Sequence, residues 1–240
     1  MNSAILRLLR GLNARGAGGS GTGLRRLSAR ECAAALGVDG VVVSLDADDA
    51  AGELVWSSDP LSSRLDELQF TLDEGPSPEC RATGAAVFAP DLAVVPQTRW
   101  PRFLPDVAAL GVLAVFAIPL RMVAIRFGTL TCHNAAAGAL RPTQLADVLT
   151  LTDAVTLMLV GDVAADADAV GWLDQPGALH RADVHQATGM VTVQLGVGPA
   201  EALLRLRTYA WHHNRSLLSV ARDVVSRELR FERDRDHDQG

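Results

Sequence analysis

The chain has 240 residues, which is long enough for one large domain or for two compact ones. Hydrophobic residues make up 48% of the sequence and charged residues 21%, which excludes a largely disordered or fibrous protein. The net charge of −6 argues against nucleic acid as a partner, but the charge is unevenly distributed. Residues 175–231 hold seven arginines and four carboxylates, a local charge of +3, and the rest of the chain carries −9. An acidic protein of this kind can still present a basic surface to phosphates.

The cysteines and the apolar segments indicate a cytoplasmic protein without a membrane-spanning segment. Cys32, Cys80 and Cys132 are widely spaced and predict neither a disulfide framework nor a zinc site. The longest apolar run, residues 107–120, is shorter than the roughly 20 residues of a membrane span. We expect residues 1–23 to form a flexible tail because residues 16–23 are rich in glycine, and a short amphipathic anchor is the alternative.

Residues 24–165 alternate between helical and strand patterns. Gly37 ends the first predicted helix, and Asp59 and Pro60 begin the second. The predicted helices cover residues 24–36, 60–70, a short segment ending at 83, 101–110 and 143–164, and the predicted strands cover residues 40–45, 53–57, 87–88, 113–120 and 125–133. This order predicts an α+β domain, an antiparallel sheet flanked by helices that ends in a long helix.

The remainder of the chain is predicted to be helical. A connector over residues 166–174 leads to a domain over residues 175–231, and a charged tail follows over residues 232–240. The three predicted helices cover residues 176–195, 199–213 and 217–229, the last capped by Ser216. The predicted core is Leu179, Ala187, Val191 and Leu195 from the first helix, Ala202, Leu203, Leu206 and Ala210 from the second, and Leu218, Ala221, Val224 and Val225 from the third.

Several short motifs in this helical domain resemble the ANTAR domain of bacterial transcription antitermination regulators. They are His185–Val191, Leu195–Val197, Ala200–Ala202, Leu206–Arg207, Ala210 and Leu217–Val225. The resemblance implies an all-α three-helix bundle that binds paired RNA stem-loops in nascent transcripts, usually as a dimer. Relatives often have a basic residue at the position of Thr188, so one phosphate contact is expected to be missing.

We expect RNA contacts from arginines that flank the buried stripes and from nearby aromatic rings. Guanidinium groups bind phosphate, and flat rings stack on unpaired bases. The candidate RNA-binding residues are Thr188, Arg205, Arg207, Tyr209, His212, Arg215 and Arg222. Arg227 and Arg230 are expected to complement the dipole of the last helix, and Trp211 to lie in the core or an interface. Gly189, inside a helix, predicts the close approach of another backbone or of RNA.

The first domain is similar to the GAF domains of actinobacterial GAF–ANTAR proteins in residues 70–76, Val87, 90–92, 99–103 and 116–120. This similarity implies about six antiparallel strands flanked by helices, with a pocket for a small molecule on one face. The candidate pocket residues are Trp56, Phe88, Trp100, Phe103, Phe116 and His133, which could equally be core residues. Cys132 and His133 should point to opposite faces of the sheet and cannot share a metal, so we expect no metal and no cofactor.

The predicted function is an RNA-binding antitermination regulator with a sensor for a small molecule or a partner signal. The broad apolar stripe of the long helix predicts a parallel homodimer. We find no nucleophile–base pair, phosphate-binding loop or metal-ligand spacing, so an enzyme is not expected. One alternative is a DNA-binding regulator that uses the last two helices as a helix-turn-helix, although residues 217–220 are poorly suited to reading base edges. Another is a redox-sensing GAF protein that acts through Cys80, placed near a helix N-terminus.

Overall fold

The computed structural model describes residues 3–14, 23–47, 50–123, 125–165, 178–213 and 215–232. These residues group into two compact units, a sheet unit and a three-helix unit. Three predicted segments lie outside the described residues. They are the connector, residues 176 and 177 of the first helix of the second unit, and the charged tail after Glu232.

The sheet unit contains five antiparallel strands within the described residues. The strands are β1 (Gly40–Ala47), β2 (Ala50–Ser57), β3 (Val87–Ala89), β4 (Ala114–Met122) and β5 (Ile125–Asn134), in the spatial order β2-β1-β5-β4-β3. The predicted hairpin of β4 and β5 is confirmed, with Phe116 opposite Cys132 and Val115 opposite His133. Strand β1 pairs with the other edge of β5, so β5 lies in the middle of the sheet.

Six helices in the described part of the sheet unit cover the two faces of the sheet, and the buried residues form one cluster on each face. They are α1 (Ala4–Ala14), α2 (Ala29–Leu36), α3 (Pro60–Leu72), α4 (Pro76–Thr83), α5 (Phe103–Ala109) and α6 (Pro142–Ala165). On one face of the sheet, Val41, Phe116 and Cys132 pack with α1, α2 and α6. On the opposite face, Val115 and Ala117 pack with α3, α4 and α5. The alternation of side chains along each strand produces these two layers.

The N-terminal residues are not a flexible tail. Residues 4–14 form α1, and Ile5 is fully buried against the core, so the prediction is wrong for this segment. Ser3 accepts a hydrogen bond from the amide of Leu6 and donates one of 2.6 Å to Asp147 of α6. Burying an isoleucine stabilises a fold by about 1.5–3 kcal/mol, which fastens α1 to the sheet unit. Residues 15–22 of the expected tail lie outside the described residues.

Local signals explain where most helices begin and end. Gly37 closes α2 in the left-handed region, and the Asp59 carboxylate caps α3 by accepting from the Ser62 amide at 2.9 Å. The first predicted helix, 24–36, is wrong in its N-terminal part. Residues 23–26 form a 3-10 turn, and Ser28 caps a shorter α2 by accepting from the Glu31 amide.

Helix α6 is the most apolar of the helices that the structure describes. Over Pro142–Gly161 it is long and apolar enough to cross a membrane by length and composition, a feature that the sequence analysis missed. In the structure Val148, Leu151, Val155 and Leu159 are buried in the core cluster that α6 shares with the sheet. Leu149 of the same helix is 45% exposed.

The second unit consists of α7 (Ala178–Leu195), α8 (Pro199–His212) and α9 (Leu217–Val225). Ser216 caps α9 as predicted, by accepting from the Ser219 amide. The predicted end of α9 at residue 229 is wrong, because Arg227 adopts a left-handed conformation with φ of 65° and turns the chain away.

The core of the three-helix unit follows the predicted stripes on the first two helices, with a shift on the third. On α9 the buried residues are Leu217, Val220, Ala221 and Val224, whereas the predicted Leu218 and Val225 are only half-buried. Leu195 is also half-buried, and the side chain of Leu179 lies outside the described residues. The remaining predicted core residues of α7 and α8 are buried: Ala187, Val191, Ala202, Leu203, Leu206 and Ala210.

Candidate nucleic-acid interface

Three of the predicted arginines face solvent while bound to carboxylates of the same unit. The pairs and their nitrogen–oxygen distances are Arg222–Asp183 at 3.0 Å, Arg215–Asp223 at 2.6 Å and Arg205–Glu201 at 3.4 Å. The Arg222 side chain remains 59% exposed and the Arg205 side chain 50% exposed. Ion pairs this exposed stabilise a protein by only about 0–1 kcal/mol, so a phosphate can replace the carboxylate.

Two other residues predicted to contact RNA are less exposed to solvent. Arg207 is half-buried and already interacts within the chain. Thr188 is 5% exposed, and its hydroxyl donates to the Val184 carbonyl at 2.7 Å. The placement of Thr188 at an RNA interface is therefore wrong, because its side chain points into the bundle and its only hydroxyl proton is used within α7.

The predicted aromatic residues cluster at the C-terminal end of α8. The Tyr209 and His213 rings stack with centroids 3.9 Å apart, and the Phe231 ring meets Tyr209 edge-on at 5.4 Å. His212 is exposed, and Trp211, which was predicted to lie in the core or an interface, is 62% exposed in this chain. The role of Phe231 could not be found from the sequence, because this residue follows the last helix and is brought back to Tyr209 only by the turn at Arg227.

A second feature missed from the sequence is an open groove on the outer face of α7, which we call the Gly189 groove. Its volume is about 620 Å³, and its lining residues are Gln186, Gly189, Met190, Val193, Gln194, Arg227, Leu229 and Arg230. Arg227 and Arg230 were expected only to complement a helix dipole. The signal that could have found the groove is the glycine in mid-helix, since among the described residues no atom lies within 4 Å of a Cβ built on Gly189.

The six predicted pocket residues of the sheet unit do not line one cavity. Trp56 and Phe116 belong to the cluster beneath α1, α2 and α6, whereas Trp100 and Phe103 belong to the cluster on the opposite face. His133 also points to that opposite face, where its Nε2 lies 2.9 Å from Ser62 of α3, and Cys132 points away from it as predicted. Phe88, at the sheet edge, is 42% exposed and contacts Phe116 edge-on.

Comparison with known families agrees with this two-unit architecture. The sequence model of the GAF domain matches residues 24–167, more than half of the chain, and the model of the ANTAR domain matches residues 178–225. The chain is a GAF–ANTAR protein. The ANTAR domain implies RNA-binding regulation of transcription antitermination, and the GAF domain implies a sensor.

Solved structures give the same fold for the GAF domain. A GAF domain from a phosphoenolpyruvate-protein phosphotransferase of Coxiella burnetii is 16% identical, with a TM-score of 0.51, over 70% of this chain and 99% of that chain. The corresponding domain from Acinetobacter is 15% identical, with a TM-score of 0.50, over 68% of this chain and 94% of that one. At these identities the similarity shows the fold alone. No curated protein sequence matches the chain.

Two glutamates, one in α4 and one just before it, hold the segment that precedes α5 of the GAF domain. Glu79 accepts from Arg99 Nε at 3.0 Å and from the Trp100 indole at 3.1 Å, and Glu74 accepts from Arg102 Nε at 2.8 Å. The hydrogen bond from Arg99 lowers the pKa of Glu79, which keeps this anchor charged. Trp100 is consequently buried and fills the α3–α5 face of the sheet.

Beneath that face lies a buried layer of polar side chains. Ser58 and Ser62 both donate to Asp59 Oδ2, at 2.5 and 2.6 Å. Because the Ser62 proton is used in this way, its oxygen accepts from His133 Nε2–H, which leaves Nδ1 as an unprotonated acceptor. His133 Nδ1 and Gln69 Nε2 are buried and have no hydrogen-bond partner among the described residues. Gly40 permits this arrangement, since a Cβ there would lie 2.2 Å from both His133 Nε2 and Ser62 Oγ.

The thiols of the GAF domain do not support a redox role. Cys80 is fully buried, and burial raises its pKa to about 12, the opposite of the shift expected from a position near a helix N-terminus. Burial also raises the pKa of Cys32 and Cys132 to about 12. The burial of Cys80 therefore argues against the redox alternative. Across the described part of the chain, no three His, Cys, Asp or Glu side chains lie close enough to hold a metal ion.

We predict that acidification destabilises the GAF domain through His133. Burial lowers the pKa of His133, against the attraction of Asp59 and Asp39, so the unfolded chain, with a pKa of about 6.5, takes up the proton first. Burial alone would raise the pKa of Asp59, but the hydrogen bonds from Ser58 and Ser62 outweigh burial, so the pKa is lowered. Protonation of Asp59 therefore removes further stability at still lower pH. The free energy of unfolding, measured with urea, should fall from pH 7 to pH 5.

The matched variants are His133→Gln, which should remove most of this slope between pH 7 and pH 5, and His212→Gln in the ANTAR domain, which should leave it unchanged. A GAF domain whose stability is constant or rises over this range would contradict the argument. So would an unchanged slope in His133→Gln.

Proposed function

We propose that this protein regulates transcription antitermination by binding stem-loops of nascent transcripts with its ANTAR domain, and that its GAF domain senses a small molecule or a partner signal. The RNA-binding residues in this proposal are Arg205, Arg207, Tyr209, His212, Arg215 and Arg222, together with Arg227 and Arg230. The observation that carries the proposal is the Gly189 groove, an open channel flanked by guanidinium groups on the domain that matches ANTAR.

The arginines near the Gly189 groove support contact with a phosphate backbone. Arg227 and Arg230 line it and are exposed, and Arg222 lies beside Asp183, one turn before Gln186 along α7. Gln186 and Gln194 add amide groups that can bind phosphate or base edges, although Gln194 Oε1 already accepts from the Phe231 amide. A channel with two arginines and no carboxylate among its lining residues suits a polyanion.

Glycine at position 189 supports the same interpretation. Glycine inside a helix destabilises it by about 1 kcal/mol relative to alanine. Nothing in the described chain packs closely against Gly189, so packing within this chain does not account for the residue. A ligand backbone that approaches α7 at this point does account for it.

A DNA-binding regulator remains the second candidate, since α8 and α9 are joined by a short turn. Against it, Arg215 at the start of α9 is held by Asp223 and donates to Ser219 at 2.6 Å, and Leu217 is buried. The N-terminal end of α9 therefore offers few groups that could read bases in a major groove.

We predict that Gly189→Ala stabilises the ANTAR domain but weakens RNA binding. The methyl group improves helix propensity by about 1 kcal/mol and occupies the groove. The probe is the most enriched stem-loop from RNA crosslinked to the protein in cells, and the measurements are thermal unfolding and gel-shift affinity. Affinity should fall several-fold while stability rises.

The control is Gly11→Ala in α1, where a Cβ also meets no atom within 4 Å of the described chain. It should leave RNA affinity unchanged. Tighter binding of duplex DNA than of the stem-loop, by the full-length protein, would favour the helix-turn-helix candidate. An unchanged stem-loop affinity in Gly189→Ala would remove the groove from the interface.

We further propose that the protein is a homodimer that pairs through α6. Ala146, Leu149, Asp153 and Leu157 are exposed along one face of this helix, at spacings of three, four and four residues. Leu149 and Leu157 are 45% and 63% exposed, and this spacing suits a helix that pairs with its copy. A dimer would present two ANTAR domains to paired stem-loops, and a signal at the GAF domain would act by changing the pairing.

We predict that Leu157→Glu converts the dimer into a monomer, because it removes the most exposed leucine of the paired face and adds a second carboxylate one turn after Asp153. Light scattering at micromolar concentration measures the mass. Val94→Glu, which replaces a 75% exposed valine of the GAF domain outside α6, is the matched control and should remain dimeric. A wild-type protein that is monomeric both with and without RNA would contradict the pairing.

In this proposal the protein is a cytoplasmic regulator and not an enzyme. The α3–α5 face of the GAF domain supports ligand sensing, since two buried polar atoms there, His133 Nδ1 and Gln69 Nε2, are open to new hydrogen bonds. The buried and unpaired thiols, and an RNA substrate, are in keeping with a reducing cytoplasm.

A further inference from the structure

A cavity of about 520 Å³ opens at the end of the ANTAR bundle where α8 stops. It lies between the C-terminal end of α7, the last two turns of α8 and the segment that follows α9. We call it the Tyr209 cavity. Its lining residues are Leu195, Val197, Arg205, Thr208, Tyr209, His212, His213, Phe231 and Glu232.

The turn after α9 builds one wall of the Tyr209 cavity. Arg227 takes a left-handed conformation, and the amides of Glu228 and Leu229 donate to the Asp223 carbonyl at 2.8 and 3.0 Å. The chain then runs back along α7, where the Phe231 amide donates to Gln194 Oε1 at 2.9 Å. These bonds fix the Phe231 ring edge-on to Tyr209.

The lining combines flat apolar rings with polar groups at the rim. Tyr209 is stacked on His213 with the ring planes 19° apart, which presents an aromatic platform beside the Phe231 ring. Arg205 and His212 are exposed, and the Thr208 hydroxyl is a donor and an acceptor. An unpaired nucleobase needs a ring to stack on, polar groups for its edge and a cation for its phosphate.

The size and position of the cavity fit a single nucleotide. Small-molecule sites commonly measure roughly 300–1,000 Å³, and this cavity lies within that range. Leu229 and Arg230 line the Gly189 groove, and the next two residues, Phe231 and Glu232, line the Tyr209 cavity. One short segment thus separates a channel suited to a backbone from a cavity suited to a base.

We propose that the Tyr209 cavity holds one unpaired base from the loop of the bound RNA, stacked against Tyr209 and Phe231, with Arg205 and His212 at its phosphate. This inference rests on the proposed function and adds the part of RNA recognition that distinguishes one loop from another. Phosphate contacts in the groove fix the position of the stem, and the cavity accepts or rejects a base.

Tyr209 is the single tyrosine of the chain, which makes the test specific. The full-length protein labelled with 3-fluorotyrosine gives one fluorine resonance, which reports on the cavity alone. The probe is an RNA hairpin with a fixed stem, selected against the full-length protein from a library with a randomised loop. Each loop nucleotide is then replaced in turn by an abasic one.

We expect one abasic position to weaken binding by about five- to a hundredfold, the range for loss of one base–aromatic stack, and to abolish the fluorine shift that the intact hairpin causes. Phe231→Ala should weaken the intact hairpin and make that abasic substitution harmless. Tyr209→Phe should keep the affinity, and Trp211→Ala, an exposed ring on the same helix outside the cavity, should leave it unchanged.

Three results would overturn the inference. If the hairpin binds but no abasic position matters and the fluorine resonance does not move, the cavity takes no base, although RNA binding stands. If AMP, GMP, CMP or UMP shifts the resonance and the hairpin does not, the cavity belongs to a free nucleotide. If selection yields no hairpin that binds, the proposed function fails first.

Discussion

Arginines on the ANTAR surface are paired with carboxylates, so RNA that binds this acidic chain must compete with those carboxylates for the arginines. Arg205, Arg215 and Arg222 are each held by a carboxylate of the same domain, yet their side chains stay accessible. Exposed pairs of this kind contribute little stability, so a phosphate at the right position can displace the carboxylate. A polyanion that does not match these positions meets a surface whose charge is already largely balanced, which favours a folded RNA over nucleic acid in general.

The early end of α9 also determines where the arginines and aromatic rings after it lie on the ANTAR surface. Because Arg227 turns the chain in the left-handed region, the residues that follow lie against α7 instead of extending a helix. Arg227 and Arg230 thereby flank the Gly189 groove, and Phe231 reaches Tyr209. In the GAF domain, by contrast, Trp100 and Phe103 fill the α3–α5 face, and the polar layer around His133 lies beneath them. A signal there would have to rearrange packed side chains, as the change in pairing that we propose requires.

Features that depend on residues close in sequence could be predicted, whereas features that depend on contacts between distant residues could not. The strands, the caps at Asp59 and Ser216 and both domain families follow from periodicity and short motifs. Helix α1 was missed because the glycines after it suggested a tail, although Ile5 is buried by α2 and α6. Thr188 was misplaced because a position in a motif does not reveal which side of a helix faces the core. Gly189 indicated a close approach to α7, but the walls of the Gly189 groove and of the Tyr209 cavity could not be predicted, since both need the chain reversal at Arg227.

The salt dependence of stem-loop binding, measured for the wild type and Asp183→Asn, tests the exchange of carboxylate for phosphate most directly. Each phosphate contact contributes about 0.7–0.9 to the slope of log affinity against log salt, between about 50 and about 200 mM. We predict a slope that corresponds to at least three contacts, and tighter binding by Asp183→Asn, because Arg222 is then no longer held by a carboxylate. An affinity that does not change with salt, or that falls in Asp183→Asn, would contradict the account.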